Sequence, residues 1–170
     1  MHLGPITLAT PFCQAGLAGY SDRAMRIVAR RRGCPYAVTE ALLDVILCNG
    51  GQGLRNSIDI NDEDHPVAGQ IIGSEPETMA RAAGIVAEAG YDVIDLNFAC
   101  PVKKIKNKAR GGHMLIDVVR AVGVMRAVRE FLMVTWVIQK AGESQRIAAE
   151  TDKRIRALRS GVTRKDWEPY

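Results

Sequence analysis

The 170-residue chain has no CxxC pair: its four cysteines, Cys13, Cys34, Cys48 and Cys100, lie far apart. That spacing supports neither a zinc site nor a disulfide framework, so they read as reduced thiols in a cytoplasmic protein. No apolar run reaches membrane-span length, and the opening MHLGPITLATPF lacks the basic stretch that precedes a signal peptide's apolar core. A soluble, non-exported protein is expected. Nor does GxGxxG follow the first expected strand, which weighs against an open dinucleotide-binding sheet.

What is present is an ordinary globular composition, 47% hydrophobic and 25% charged, of about one domain's length. The net charge of +4 hides an asymmetry. Residues 1–100 carry 7 basic against 12 acidic side chains, and residues 101–170 carry 16 against 7. The densest positive stretch, KKIKNKAR from Lys103 to Arg110, suits either a polyanion such as nucleic acid or a solvated loop.

Strand and helix signals alternate along the chain. ITLATPF (6–12) reads as a first strand, and the glycine-rich QAGLAGYSD leads into a helix with start signals at Ser21 and Asp22 and a stop at Gly33. Met25, Val28 and Ala29 form its apolar stripe; Arg23, Arg26 and Arg30 form the polar one. Tyr36 to Thr39 make a second strand with Glu40 at its carboxyl end, ALLDVILC a helix, and NGGQG the loop ending it. NDEDH, Asn61 to His65, reads as an acidic surface turn rather than a metal site.

VAGQII, Val67 to Ile72, is a third strand with the polar Gln70 set inside it. A buried amide needs a partner, and a carboxamide suits the donor and acceptor edge of a ring such as a flavin's pyrimidine. Ser74 and Glu77 suggest a capping box for a helix that turns Met79, Ala83 and Val86 inward. Beyond residue 104, GGHML leads to a helix from about Asp117 to Glu130, with His113 as a loop residue and Val119, Val122, Met125 and Val128 apolar. Leu132–Ile138 reads as a fifth strand, Glu143–Ser160 as a polar helix, and TRKDWEPY as an unsupported tail. The β-α alternation allows an open doubly wound sheet or part of a closed (βα)8 barrel.

The centre of this pattern is YDVIDLNFACPVKK, residues 91–104. Val93, Ile94 and Leu96 read as a fully buried strand, with Asn97, Cys100 and Pro101 at its carboxyl end, where α/β enzymes place their active sites. The thiol can be a nucleophile, a general acid or a small core residue.

Taken together, AGLAGYSDRAMR, TEALL, VAGQIIGSEPETMARAA and YDVIDLNFACPVKKIKNKARGG resemble the tRNA-dihydrouridine synthase family over residues 6–116. The most specific block is Asn-x-x-Cys-Pro followed by lysines, matched by Asn97, Cys100, Pro101, Lys103 and Lys104. The resemblance implies an FMN enzyme on a TIM-type (βα)8 barrel that uses NADPH to reduce uridines in tRNA. It places the flavin-contacting turn on Gly16, Leu17 and Ala18, a flavin-binding amide on Gln70, a uridine contact on Asn97 and the catalytic acid on Cys100. Lys103 and Lys104 then face RNA phosphate, and the uridine is unstacked and extruded to reach the site.

The chain departs from the family pattern at Gly16 and Leu17, where the family usually has Pro-Met, and in VTWVIQKAG, where Lys140 stands for a flavin-contacting lysine. It also falls short of the about 250 residues such barrels need. One partial barrel domain over residues 1–170 is therefore expected, truncated to about five βα units and without the family's later strands and helical domain. Its exposed sheet edge would associate with itself or with a missing half. The rival readings are an inactive remnant that binds RNA weakly and an FMN barrel reductase acting on a free pyrimidine.

Overall fold

The computed structural model describes residues 1–140 and 145–160. The chain divides into two compact units, Met1–Val128 and Arg129–Tyr170. The first opens with a hairpin, β1 (His2–Leu3) antiparallel to β2 (Ile6–Thr7). The strand expected over 6–12 therefore stops at Thr7. Residues 8–13 belong to no strand, and the chain joins the parallel sheet only at Gln14, which bridges Ala37.

Helix α1 (Arg23–Arg31) starts where Asp22 accepts the Met25 N–H at 2.8 Å, and Gly33 at φ 91° follows its end. Its orientation reverses the expected one. Met25 and Val28 are exposed, while Arg26 is buried and donates to both carboxylate oxygens of Asp64 and to the carbonyls of Ser21 and Asp59. NDEDH is accordingly no simple surface turn: Asp62–Asp64 is a 3₁₀ turn whose fully buried Asp64 receives α1. A guanidinium with five donors saturates that carboxylate and nearby carbonyls together, which no apolar side chain on α1 does.

Two short strands follow, β3 (Ala37–Val38) and β4 (Leu42–Leu43), then helices α2 (Asp44–Asn49) and α3 (Gly51–Ser57). ALLDVILC is thus helical only from Asp44, because Leu42 and Leu43 are taken into the sheet opposite Ile71 and Ile72. The NGGQG loop shrinks to a break at Gly50, φ 70°, before α3. β5 (Val67–Ile72) runs parallel between β3 and β4 on one side and β6 (Val93–Leu96) on the other, with α4 (Pro76–Glu88) connecting β5 to β6.

Burial on both sides explains why β5 is nearly all apolar: Val67, Ala68, Ile71 and Ile72 are buried with Met79, Ala82, Ala83 and Val86 of α4 and Leu47 of α2. The helix packs so closely that a Cβ at Gly69 would lie 2.3 Å from a Val86 methyl. The Ser74–Glu77 box does not form; Glu75 is the N-cap and Pro76, needing no N–H partner, takes the first helical turn. β6 is half-buried instead of fully buried, since β5 is its one sheet neighbour among the described residues.

After α5 (Lys103–Lys106) and a 3₁₀ segment (Gly111–Ile116), α6 runs unbroken from Val118 to Lys140. Ala121, Val124 and Val128 form its buried side, while Val119, Val122 and Met125 are exposed. The fifth strand expected over Leu132–Ile138 is helix. An apolar run reads equally as strand or helix, and no Gly or Pro stands between Val124 and Lys140 to stop the helix begun upstream. In the second unit α7 (Gln145–Ser160) realises the expected polar helix, with a buried Glu150–Arg154 pair at 2.8 Å. The tail TRKDWEPY lies outside the described residues.

Candidate active site

The carboxyl end of β3 lies against the middle of β5, at Ala68, and the polar residues Thr39, Gln70 and Asp95 collect just beyond it. Parallel register sets Gln70 of β5 opposite Asp95 of β6, and Asn97, two residues on, shares the face of Asp95. Asn97 Oδ1 accepts the backbone N–H groups of Ala99 at 3.1 Å and Cys100 at 3.0 Å. Its Nδ2 is thereby left to donate to Gln70 Oε1 at 2.8 Å, and Gln70 Nε2 donates to Asp95 Oδ2 at 2.6 Å. Each amide orientation follows from the next, since backbone N–H groups require an oxygen and an ionised carboxylate only accepts. Gln70 keeps one N–H and one carbonyl lone pair beyond these bonds.

The glycine-rich turn is fixed against the same residues. Ser21 Oγ accepts the Leu17 N–H at 2.7 Å and donates to the Leu17 carbonyl, and Glu40 Oε2 accepts the Gly19 N–H at 2.6 Å. Thr39 Oγ1 accepts the Gln70 N–H at 3.0 Å. A Cβ at Gly16 would fall 2.2 Å from the Thr39 carbonyl oxygen and 3.6 Å from Gln70 Oε1, so only glycine permits this approach. Leu17 and Ala18 are exposed on the turn.

Cys100 is half-buried, and the chain returns to it: the Gly112 N–H donates to the Cys100 carbonyl at 3.1 Å. Gly111, φ 58°, sits so close that its Cβ would be 2.9 Å from Cys100 Cβ. Between them Lys103 and Lys104 are exposed on α5, whereas Arg110 is buried and pairs with Asp44 at 3.2 Å. Burial pushes the Asp44 carboxyl up, against the opposing pull of the Val45 N–H and the Arg110 guanidinium.

Of the residues picked out in the sequence, Gly16, Gln70, Asn97 and Cys100 meet in one network, with Leu17 and Ala18 on its bordering turn. Lys103 and Lys104 flank it without joining it. Lys140 does not stand at a strand end; it closes α6, in the second unit. Asp95, Thr39 and the Asp44–Arg110 pair were not picked out. Asp95 had a signal: a carboxylate in the apolar strand VIDL, two residues before Asn97 and on its face. Among the described residues no group of three or more His, Cys, Asp or Glu side chains could hold a metal, and no helix is long and apolar enough to cross a membrane.

Residues 13–137 match the family model of dihydrouridine synthase (Dus). Relatives named tRNA-dihydrouridine synthase B include one from Pseudomonas aeruginosa, 36% identical over 129 residues (75% of this chain, 39% of the relative). Another, from Xanthomonas campestris pv. campestris, is 32% identical over 117 residues (69% of this chain, 35% of the relative). A probable tRNA-dihydrouridine synthase from Rickettsia bellii is 28% identical over 165 residues, 95% of this chain and 50% of the relative. The chain thus spans from 35% to half of the length of these relatives. With the matched region running from the turn before Gly16 through Cys100 and into α6, the chain belongs to the dihydrouridine synthase family.

Proposed function

We propose that this chain carries the thiol-bearing and ring-facing part of the active site of a flavin-dependent tRNA-dihydrouridine synthase. In this reading its parallel strands begin a (βα)8 barrel, and NADPH supplies the electrons that reduce a uridine C5–C6 double bond in tRNA. The observation that carries it is the continuous bonding from Gln70 through Asn97 to the Cys100 backbone.

The residues fit the ring end of FMN. Gln70 has an unused donor and acceptor close to the backbone of Gly16, which packs on the Thr39 carbonyl and so holds the turn against this amide. Bound there, FMN would supply the hydride that goes to uracil C6. The rest falls to the chain. Cys100 Sγ holds the proton that goes to C5, which completes the saturation of the double bond. Asn97 keeps the thiol at the strand end by gripping the Cys100 N–H, and Leu17 and Ala18 border the site. Lys103 and Lys104, exposed beside the cysteine, meet the RNA phosphates.

The half-buried edge of β6 takes a further strand, from a second copy or from the rest of the family's barrel. The exposed lysines favour one second reading, a chain that by itself only binds RNA. Incubation with FMN, NADPH and tRNA transcribed without modifications separates them. Dihydrouridine in the tRNA, and no dihydrouracil from free uracil, is the expected result; a protein that binds RNA but retains no flavin would support the second reading.

A further inference from the structure

Arg110 and Asp44 are buried and paired, yet they stand outside the network that joins Gln70, Asn97 and Cys100. Asp44 is the first residue of α2, and a Cβ at Gly73, just past β5, would fall 2.1 Å from its Oδ2. Glycine at 73 therefore leaves room for this carboxylate at the carboxyl end of the strand that carries Gln70. From the other side, the Arg110 N–H donates to the Ile105 carbonyl at 3.2 Å and its carbonyl accepts the His113 N–H at 3.3 Å. The next two residues are the ones that press on the cysteine, Gly111 against its Cβ and Gly112 on its carbonyl. Residues 100–112 thus form a loop closed by the Gly112–Cys100 backbone bond and tied to α2 by the Arg110 guanidinium. Ala109, at φ 50°, holds a left-handed conformation that a residue with a Cβ keeps only when its surroundings enforce it.

The pair is a poor source of stability, because burial raises the Asp44 carboxyl more than the guanidinium brings it down. Its contribution is to geometry. We propose that the Asp44–Arg110 pair is a positioning device for Cys100, tying the 100–112 loop to α2 and setting how far the thiol is exposed in the site. The proposal rests on Cys100 being the reactive residue of the proposed function.

The test is thiol chemistry on the full chain. Alkylation by iodoacetamide is followed peptide by peptide, with Cys34, half-buried after α1 and bonded through its Sγ to the Tyr36 carbonyl, as the internal control. Asp44→Asn and Arg110→Gln should each raise the Cys100 to Cys34 rate ratio by about threefold or more, and the double variant should go no further than the larger single effect. Arg110→Lys, a milder change, should fall between parent and Arg110→Gln and serves where the Gln variant does not stay folded. An unchanged ratio, a parallel rise of both cysteines, or multiplying single effects would overturn the proposal. Because no dihydrouridine is measured, an inactive parent defeats the functional reading without touching this result, and the reverse holds equally.

Discussion

Asn97 does two jobs with one side chain, holding the backbone of Cys100 with its oxygen and the Gln70 amide with its nitrogen. Asn97→Ala leaves the Ala99 and Cys100 N–H groups without their acceptor and should cost about 0.5–2 kcal/mol, the range for a lost capping side chain, seen as a lower urea midpoint. In the proposed function Gln70→Ala removes one hydrogen-bonding partner of the ring and should weaken FMN binding about 2- to 10-fold, read by fluorescence titration. Unchanged affinity would reject Gln70 as a flavin contact. Tyr36 gives a separate handle: burial, helped by Asp95, pushes its hydroxyl up to about 12 from 10.0. The folded chain then binds more protons than the unfolded one between those values, so the stability it contributes is full below pH 10 and falls as the pH rises towards about 12. Tyr36→Phe should flatten the loss of urea midpoint across that window.

At the scale of elements, α1 shows how far pattern reading carries. Its position and both ends were legible, because an Asp cap and a left-handed glycine act within one turn of the chain. Its inward face was not. Arg26 is placed by Asp64, 38 residues away, and no periodicity within the helix reports a partner on another loop. Replacing Arg26 with Met should therefore destabilise the fold by about 3–5 kcal/mol in urea unfolding, since it strands a buried carboxylate. β5 and β6 were legible for the opposite reason: strands between Gly and Pro signals keep their identity whatever packs on them. Leu132–Ile138 carried no such punctuation and continued as helix. The candidate site was legible in Gly16, Gln70, Asn97 and Cys100 because strand ends and turns concentrate unusual residues. Asp95, Thr39 and Arg110 became visible only through register and loop closure.

Across the whole molecule the charge is divided: the first 100 residues are net acidic and the last 70 net basic, with exposed lysines directly after the cysteine. Replacing Lys103, Lys104, Lys106 and Lys108 with Gln should weaken tRNA binding and lower the slope of log K against log salt by about 0.7–0.9 for each phosphate no longer neutralised. Identical slopes would make the segment a solvated loop. In the proposed function Cys100 gives the proton that completes uridine reduction. The most direct measurement follows dihydrouridine in unmodified tRNA and NADPH oxidation side by side, for FMN-loaded parent and Cys100→Ala. The parent should form dihydrouridine, and the variant should oxidise NADPH at the parental rate, with oxygen as acceptor, while forming none. Dihydrouridine at equal rates from both, or none from a flavin-loaded parent, would contradict the account.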